Sequence, residues 1–435
     1  AQFVALHDSL TQLPNRKMFA AFAGKVIDEA KHNNTQFAVM VIDLDNFKTI
    51  NDLYGHEVGD QQLARVGEIL SGQLRETDII ARLGSDEFAI LETSIHQPSN
   101  AQEVAQRLIS TVNNRTNALP DGSTISMSIG VSVFPDDGDK IDALLQHAET
   151  AMSKAKQGGK NNHLFFEQGM EASMRERRSI EARLRVAIEN DGFTVNFQPI
   201  VDSATQSPQS FEALVRWEDD ELGFVPPDKF IPIAEETGII IDIGKQVLHK
   251  ACSEAVKWPQ HIRVAVNLSV VQFEQPGLLD TVKTVLKQTG LPASRLDLEI
   301  TESIVLSNSE RTLEILEKLK ASGARISMDD FGTGYSSLSY LQSFPFDKLK
   351  IDRVFVSDLE TDDNNAAIVK AVVAMGKSLE MCVVAEGVER NSQLARLRSI
   401  GCSEVQGYLI AKPMPGDMVE QFIKESRKPP HIVSA

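Results

Sequence analysis

The carboxyl-terminal half of the chain is predicted to fold as an α/β (β/α)₈ barrel of about 240 residues. Short apolar runs recur eight times there, and most of them are separated by segments with helical periodicity, such as 309–322 and 365–379. Strands that alternate with helices in this way are typical of a barrel. The runs are Phe193–Val201, Ser210–Trp217, Arg263–Ser269, Arg295–Thr301, Arg325–Phe331, Lys348–Asp352, Cys382–Val388 and Glu404–Ile410.

Polar residues lie in the carboxyl-terminal part of each run. Because these strand ends meet at one face of a barrel, where active sites of this fold lie, we expect the polar residues to form a site there. The alternative, that they only complete hydrogen bonds at strand ends, explains their recurrence less well. They are Gln198, Glu212, Asn267, Glu299 with Glu302, Asp329 with Asp330, Lys350 with Asp352, Glu386 and Gln406.

The residue types in this set predict its chemistry. Carboxylates with amide oxygen, and without His or Cys, suit Mg²⁺ or Mn²⁺ better than zinc. The adjacent acids Asp329 and Asp330 can serve two metal ions, and a pair of ions about 3.5–4 Å apart promotes in-line displacement at phosphorus. The set therefore indicates phosphodiester hydrolysis. Lys350 would orient the water or neutralise charge, although an ordinary salt bridge is its alternative role.

The amino-terminal half contains a predicted buried strand over 37–43 and a predicted β-hairpin formed by 78–83 and 87–91. Acidic residues follow the strand and occupy the hairpin turn, so they could share a cation such as Mg²⁺. Solvated turn acids are the alternative. The acidic residues are Asp43, Asp45, Asp86 and Glu87.

A connecting helix is predicted between the halves, because Met174, Ile180, Leu184 and Ile188 share one helical face among charged residues. It could equally be the first surface helix of the second domain. The predicted organisation is a first domain over 1–167, a connecting helix over 168–190, the barrel domain over 191–425 and a carboxyl-terminal tail over 426–435.

The composition excludes several classes of protein. The net charge of −17, from 44 basic and 61 acidic residues, disfavours binding to nucleic-acid polymers and to anionic membrane surfaces. The three cysteines form no CxxC pair, so neither disulfides nor a zinc site is predicted and a reducing cytoplasm is favoured. No apolar run approaches the roughly 18 residues that span a bilayer, and the first residues do not form a signal-peptide pattern.

Four motifs of the first half resemble the GGDEF family of diguanylate cyclases over about residues 5–166. They are Asp8-x-Leu-Thr-x-Leu-Pro-Asn-Arg16, Asp43-x-Asp-x-Phe-Lys-x-x-Asn51-Asp52, Gly55-His-x-x-Gly-Asp60 and Arg82-x-Gly-Ser-Asp-Glu-Phe88. The resemblance implies an α+β ferredoxin-like domain that binds GTP with Mg²⁺. It implies metal ligation by Asp43 and Asp86, guanine recognition by Asn51 and Asp60, phosphate binding by Lys156 and Lys160, and GTP or metal contacts by Lys48 and Glu87.

Ser85 departs from the GGDEF pattern by replacing its second glycine. A side chain there would cost about 1–2 kcal/mol if the backbone had to be left-handed, so we expect impaired cyclase activity with GTP binding retained. Lys160 also differs from the usual arginine and lacks its bidentate fork. Arg75 and Asp78 match the family's inhibitory cyclic-di-GMP site, with a surface salt bridge as their alternative role.

The motifs of the second half resemble the EAL-domain phosphodiesterases over residues 188–425. They are Gln198-Pro-Ile, Glu212-Ala-Leu-Val-Arg-Trp217, Val266-Asn-Leu-Ser269, Glu299-Ile-Thr-Glu302, Asp329-Asp-Phe-Gly-Thr-Gly-Tyr-Ser-Ser337, Leu349-Lys-Ile-Asp352, Glu386-Gly-Val-Glu389 and Gln406-Gly-Tyr408. The resemblance implies a TIM-like barrel whose first strand is antiparallel to the others. It also implies hydrolysis of cyclic di-GMP to linear pGpG.

The same resemblance implies a role for each residue of the site. One Mg²⁺ or Mn²⁺ would be held by Glu212, Asn267, Glu299 and Asp329, and a second by Asp329 and Asp330. Lys350 and Glu386 would act on the nucleophilic water, and Glu302 would anchor the loop over 331–338. Substrate would be bound by Gln198, Leu214, Arg216, Asp352, Glu389 and Gln406.

These observations predict a cytoplasmic cyclic-di-GMP phosphodiesterase whose first domain senses GTP. The alternatives are a bifunctional enzyme that also synthesises cyclic di-GMP, and a receptor without catalytic activity. The family implies a homodimer formed through the barrel domain. The early start of the first motif favours a fragment of a longer sensor, whose remainder could include a membrane anchor.

Overall fold

The computed structural model describes residues 6–95, 97–116, 119, 125–302, 304, 309–332, 344 and 346–426. The chain divides into two compact units, Ala1–Glu176 and Arg177–Ala435. Within the described ranges, no helix has the length and apolar character needed to cross a membrane.

The first unit is built on a five-stranded sheet in the order β2-β3-β1-β4-β5. Its strands are β1 (Gln36–Leu44), β2 (Ile79–Arg82), β3 (Glu87–Ile95), β4 (Met127–Phe134) and β5 (His163–Phe165). Its helices are α1 (Arg16–Asn33), α2 (Phe47–Tyr54), α3 (His56–Ser71), α4 (Pro98–Arg115) and α5 (Ile141–Gln157). The predicted strand over 37–43 and the predicted hairpin are confirmed, since β2 and β3 pair antiparallel.

Strand β1 is central and is buried on both of its faces. Met40 and Ile42 belong to one apolar cluster, while Val39 and Val41 belong to the other. Successive side chains of a strand point to opposite faces, so β1 joins two core layers, each covered by helices. This arrangement carries Asp43 at the end of β1 to the edge of the core.

A single helix, α6 (Met170–Glu189), occupies most of the segment predicted as a connecting helix. Its first turns belong to the first unit and the remainder to the second, because the boundary falls after Glu176. Ile180 and Leu184 on its apolar face are buried with the core of the second unit.

The second unit is a closed eight-stranded barrel, as predicted. The barrel strands are β6 (Phe193–Asp202), β7 (Pro208–Asp219), β9 (Arg263–Leu268), β10 (Leu296–Thr301), β11 (Arg325–Phe331), β12 (Lys348–Ile351), β13 (Cys382–Ala385) and β14 (Glu404–Gln406). Strand β6 is antiparallel to both of its neighbours, β7 and β14, and thereby closes the ring. Parallel pairing joins the remaining strands from β7 to β14.

Two short strands and nine helices surround the barrel in the described part of the chain, with a 3₁₀ turn over Ala293–Arg295. The short strands are β8 (Gly223–Val225) and β15 (Met414–Pro415). The helices are α7 (Pro227–Glu236), α8 (Ile240–Ala255), α9 (Val270–Glu274), α10 (Leu278–Thr289), α11 (Ser309–Ala321), α12 (Arg353–Ser357), α13 (Asp363–Ser378), α14 (Asn391–Ile400) and α15 (Gly416–Ser426). Of the predicted tail over 426–435, all residues after Ser426 lie outside the described ranges.

Two predicted strands end earlier than expected. The runs predicted to reach Val388 and Ile410 leave the sheet after Ala385 and Gln406. Val388, beyond the end of β13, instead pairs with the last residue of β14 and with the segment that follows it: Val388 N donates to Gln406 O at 3.0 Å, and Leu409 N donates to Val388 O at 2.9 Å. The last two strand ends are therefore joined into one rim above the barrel.

Candidate active site

Lys350 of β12 stands among four carboxylates inside the barrel and is 1% exposed. Its Nζ lies 2.7 Å from Glu386, 2.8 Å from Glu299, 3.3 Å from Asp329 and 3.4 Å from Glu212. Burial acts to lower the pKa of Lys350, but the four carboxylates outweigh it and raise that pKa well above its ordinary value. Lys350 is therefore a permanent cation within the site.

The carboxylates form two groups, each of which could hold one metal ion. Glu212, Glu299 and Asp329 form the first group, and Asp329, Asp330 and Glu386 form the second, with ligand atoms within 4.8 Å of one another. Oε1 of Glu299 is buried and has no hydrogen-bond partner among the described residues. An oxygen-only donor set with an unpaired buried carboxylate oxygen fits a hard divalent cation.

The two groups share Asp329 because the backbone of β11 is irregular at the next residue. Asp330 has a left-handed φ of 55°, and the register between β11 and β12 shifts between Met328 and Phe331. Consecutive side chains of a regular strand would point to opposite faces. The left-handed residue and the register shift bring both Asp329 and Asp330 into one site.

Protonation differs among the carboxylates. Burial, together with the charges of Asp329 and Glu212, raises the pKa of Glu386 to about 8 despite the opposing effect of Lys350. Burial and Asp329 raise the pKa of Asp330 to about 6. Burial likewise raises the pKa of Glu299 well above its ordinary value. Burial and the proximity of the other negative charges thus raise the pKa values of three of the site's acids.

Glu212 differs from its neighbours because it receives several hydrogen bonds. Gln406 Nε2 donates to its Oε2 at 2.7 Å, and Asn267 Nδ2 donates to its Oε1 at 2.7 Å. Burial acts to raise the pKa of Glu212, but Lys350 and these two amides together lower it. Gln406 also donates to Gln198 at 3.2 Å, so the amides and Glu212 form one connected group.

A cavity of about 240 Å³ opens above these residues. Gly407 at its rim is required by close packing, since a Cβ atom there would lie 2.1 Å from the carbonyl oxygen of Val388. The cavity brings together predicted residues and two side chains that the sequence did not identify, Arg353 and Tyr408. Its lining consists of Gln198, Glu212, Asp329, Arg353, Glu386, Gly387, Glu389, Gln406, Gly407 and Tyr408.

The other predicted substrate residues lie near this cavity or support it. Leu214 and Arg216 line a neighbouring cavity of about 260 Å³ that also includes Asn267. Asp352 accepts a hydrogen bond from Val354 N at 2.7 Å and so caps α12, and its carboxyl group also contacts Asp330. Glu302 is predicted to anchor the loop over 331–338. Residues 333–338 of this loop lie outside the described residues.

Family comparison identifies the barrel. The EAL domain family model matches residues 181–413, and the model for the diguanylate cyclase GGDEF domain matches residues 5–162. The chain belongs to the EAL domain family. Its GGDEF and EAL domains are arranged in tandem.

Several known proteins are similar over nearly the whole chain. The bifunctional diguanylate cyclase/cyclic di-GMP phosphodiesterase MucR of Pseudomonas aeruginosa is 41% identical over 420 residues, covering 96% of this chain and 61% of MucR. The cyclic di-GMP phosphodiesterase NbdA of the same species is 39% identical over 430 residues, covering 98% of this chain and 54% of NbdA. The chain thus spans about half to three fifths of the lengths of these relatives.

A solved structure described as the PaMucR phosphodiesterase in a c-di-GMP complex matches the EAL part. It shares 42% sequence identity and a TM-score of 0.54, and the match covers 55% of this chain and 99% of the solved one.

The GGDEF domain brings several of its predicted nucleotide residues together at the end of β1. Lys156 Nζ lies 2.5 Å from Asp43 Oδ1, and Asp43 pairs in register with Glu87. Burial raises the pKa of Asp43 although Lys156 opposes the shift, and the nearby Asp86 raises it further. Lys160 Nζ instead donates to Asn46 Oδ1 at 2.7 Å.

Residues of the predicted guanine site lie on helices α2 and α3. Asn51 occupies space that a side chain at Gly59 would fill, because a Cβ atom at Gly59 would lie 1.9 Å from Asn51 Oδ1. This oxygen is buried and has no hydrogen-bond partner within the described ranges. Lys48 and Asp60 are exposed on the same two helices.

Asp45 has a structural role, which the sequence did not separate from metal binding. Its carboxylate accepts hydrogen bonds from Ser126 Oγ and Ser128 Oγ, each at 2.7 Å, and from Asn161 N at 3.0 Å. It therefore ties the end of β1 to neighbouring segments of the domain.

The backbone at Ser85 corrects one expectation. Ser85 is not among the residues with positive φ, so the left-handed strain considered for this position does not arise. Its hydroxyl instead donates to Asp86 Oδ1 at 2.6 Å. This contact places the Ser85 hydroxyl against a predicted metal ligand.

The predicted inhibitory pair lies beside β2. Asp78 accepts hydrogen bonds from Arg75 N at 3.0 Å and from Thr93 N at 3.1 Å. Its carboxylate thus stabilises the turn that precedes β2.

Proposed function

We propose that this chain hydrolyses cyclic di-GMP to linear pGpG in the cavity of its EAL barrel. The observation that carries the proposal is the pair of carboxylate groups that share Asp329 and enclose Lys350. Two adjoining cation sites beside one fixed ammonium suit the cleavage of a phosphodiester. MucR and NbdA, whose names include this activity, support the choice of substrate.

Two Mg²⁺ or Mn²⁺ ions would occupy these groups. Glu212, Asn267, Glu299 and Asp329 would hold one ion, and Asp329 and Asp330 would hold the other. When bound, the ions supply Lewis-acid activation of water and of the phosphate.

The protein side chains would position the reactants. Lys350, fixed by four carboxylates, would orient the attacking water and offset the charge that develops at phosphorus. Glu386, whose pKa is raised to about 8, would exchange a proton with that water near neutral pH. Its position 2.7 Å from Lys350 supports this role.

Substrate binding would involve the amides and cations around the cavity. Gln198 and Gln406 already hydrogen-bond to each other at 3.2 Å and present amides at the cavity wall. Arg216 would bind a phosphate, with Leu214 beside it in the neighbouring cavity. Glu389 at the cavity wall and Asp352 beneath it would complete the set.

Product analysis tests this proposal. The protein would be incubated with cyclic di-GMP and Mg²⁺, with Mn²⁺, or with EDTA, and the nucleotides separated by chromatography. We expect pGpG in both metal conditions and no turnover in EDTA. Binding of cyclic di-GMP without any pGpG would favour the receptor function instead.

We also propose that the GGDEF domain binds GTP with Mg²⁺, using Asp43, Asp86 and Lys156. The match of Asn51 and Asp60 to the family's guanine-reading residues, on the adjacent helices α2 and α3, supports guanine recognition. A second candidate function, a bifunctional cyclase and phosphodiesterase, is favoured by the unstrained backbone at Ser85. Incubation with GTP alone, followed by chromatography for cyclic di-GMP, distinguishes a domain that only binds GTP from a cyclase.

The family resemblance further supports a homodimer formed through the barrel and a cytoplasmic location. Light scattering coupled to size exclusion measures the first, and cell fractionation measures the second. A monomer at micromolar concentration would contradict the dimer.

A further inference from the structure

The interior of the barrel contains a second polar layer beneath the catalytic one. Residues two positions apart on a strand point to the same side. On three strands the interior residues therefore come in pairs, with one member in each layer. The upper members are Glu299, Asp329 and Lys350, and the lower members are Asp297, Ser327 and Lys348.

The lower layer contains charged residues that have no place in the proposed reaction. We call five of them the base cluster: Arg263, Asp297, Arg325, Lys348 and Glu404. Asp297 and Lys348 are 0% exposed, which is rare for charged side chains.

Ion pairs link the base cluster at two different ranges. Lys348 Nζ lies 2.8 Å from Glu404 Oε2, a direct contact. Asp297 is farther from its three cations: 3.5 Å from Arg263 Nε, 3.5 Å from Lys348 Nζ and 3.6 Å from Arg325 Nε. The second set of distances is too long for normal direct hydrogen bonds.

Asp297 and the two arginines consequently have unpaired polar atoms. Both carboxylate oxygens of Asp297, Nε of Arg263 and Nε of Arg325 are buried without a hydrogen-bond partner among the described residues. Ser327 Oγ, in the same layer, is also buried without a hydrogen-bond partner among the described residues. Buried polar groups are costly unless they are hydrogen-bonded, so a bridging molecule is expected here.

Water fits these atoms better than an ion does. The carboxylate oxygens need donors, and the guanidinium Nε–H groups need acceptors. An anion would oppose Asp297, and a cation would oppose the two arginines. A water molecule donates to Asp297 and accepts from Nε, and buried waters typically make about three such hydrogen bonds.

We propose that the base cluster binds ordered water that bridges Asp297 to Arg263 and Arg325, and that Lys348, by pairing with the anions of this cluster, keeps catalytic Lys350 among the upper carboxylates. The second part of the proposal rests on the proposed phosphodiesterase function. Lys348 forms ion pairs with the anions of the lower layer. Lys350, two residues along the same strand, therefore remains paired with the upper carboxylates. Lys348 is thus a positioning residue.

A crystal structure of the unmodified protein tests the water site independently of activity. At a resolution that shows ordered solvent, we expect electron density for water within hydrogen-bond distance of Asp297 and of at least one of the two arginine Nε atoms. Direct hydrogen bonds between Asp297 and the arginines, with no water between them, would overturn this part of the proposal. Failure to hydrolyse cyclic di-GMP would not affect it.

Charge-balanced variants test the positioning role. The base cluster has three cations and two anions, a net charge of +1. Lys348→Met lowers this charge to 0, and Lys348→Met with Asp297→Asn restores it to +1. We expect kcat for cyclic di-GMP to fall roughly tenfold or more in the single variant with KM unchanged, as for other residues that orient a catalytic group. The double variant should recover most of kcat.

The exposed Lys318, which pairs with Glu314 on α11, provides a matched control. Lys318→Met should retain full activity. Thermal unfolding and circular dichroism would establish that each variant is folded. A folded double variant no more active than Lys348→Met, or a single variant with unchanged kcat, would overturn the positioning role. Should Lys348→Met not fold, the double variant and Asp297→Asn alone should both retain most of kcat, because each has one anion fewer in the lower layer, and a loss of kcat in either folded variant would contradict the proposal.

Discussion

Lys350 Nζ lies 2.7 Å from Glu386; Lys350 is buried in the barrel, and Glu386 is partly exposed at the cavity wall. Neighbouring carboxylates raise the pKa of Lys350, which is the cation of this pair. The pKa of the carboxyl group of Glu386 is raised to about 8. Three further carboxylates surround the same ammonium. Lys350 therefore balances part of the charge that would otherwise prevent these acids from ionising together.

Replacement of Lys350 should separate catalysis from metal binding. Lys350→Met removes a cation from beside the carboxylates, so we expect Mn²⁺ to bind at least as tightly while kcat falls about 10²-fold or more. Glu212→Gln removes a ligand and should weaken both properties. Calorimetry would measure Mn²⁺ affinity, and chromatography would measure pGpG. Weaker Mn²⁺ binding in Lys350→Met, with normal folding, would contradict this division of roles.

Calcium should bind without supporting turnover. Ca²⁺ forms longer bonds with looser geometry than Mg²⁺. Because Asp329 belongs to both carboxylate groups, the two ions would lie close together, and the longer bonds of Ca²⁺ would disturb that spacing. We expect Ca²⁺ to inhibit the Mg²⁺-dependent reaction competitively. Equal rates with the two ions would indicate that a closely spaced metal pair is not needed.

Asp330 combines a charge with a left-handed backbone, and two substitutions distinguish these contributions. Asp330→Asn removes the charge but keeps a residue that tolerates positive φ, so activity should fall while stability is preserved. Asp330→Ala should in addition lower the free energy of unfolding by about 1 kcal/mol. Urea unfolding would measure the difference, and equal stability of the two variants would argue against backbone strain.

Glu92 should make the stability of the GGDEF domain depend on pH. Burial and the charge of Asp78 raise its pKa to about 7 from an ordinary value of 4.5, despite Arg75 and Arg107. A raised folded pKa stabilises the domain fully below pH 4.5, and this contribution is lost as pH rises through 7. Hydrogen exchange in β3 should thus be faster at pH 8 than at pH 5.5 after correction for intrinsic rates. Glu92→Gln should reduce that difference, and an unchanged pH dependence would contradict the assignment.

The sequence predicted the barrel well because the position of each strand is visible in local apolar runs. It also placed Glu212, Glu299, Asp329 and Lys350 at one site, since strand ends converge in this fold. The antiparallel direction of β6 followed from family resemblance, because no local pattern records the direction of a strand.

Other features depended on contacts between distant segments. The left-handed φ of Asp330 and the serine partners of Asp45 could not be seen in single motifs. Arg353 immediately follows the motif residue Asp352, and Tyr408 ends the motif that begins at Gln406, yet only the folded cavity shows that both side chains line it. Alternation on β10 and β12 could have indicated the base cluster, since Asp297 and Lys348 precede site residues by two positions.

GTP should act on this protein mainly as an effector. Its predicted site keeps Asp43 beside Lys156 and an unpartnered buried oxygen on Asn51. Cyclisation, by contrast, requires two loaded GGDEF domains with accurately aligned reacting groups, so a small displacement would damage it severely. The hydroxyl of Ser85, bonded to Asp86 at 2.6 Å, competes for a predicted metal ligand.

The test measures the rate of pGpG production from cyclic di-GMP at increasing concentrations of GTP. We expect activation in the unmodified protein and its loss in Asp43→Ala and Asn51→Ala, which remove the metal and guanine contacts. If activation arises because GTP tightens the binding of cyclic di-GMP, reciprocity requires cyclic di-GMP to tighten GTP binding by the same factor. Ser85→Gly, with Lys350→Met to disable the barrel, should synthesise more cyclic di-GMP from GTP than Lys350→Met alone. Substantial synthesis by Lys350→Met alone would instead establish a bifunctional enzyme, because Ser85 would then be compatible with cyclisation.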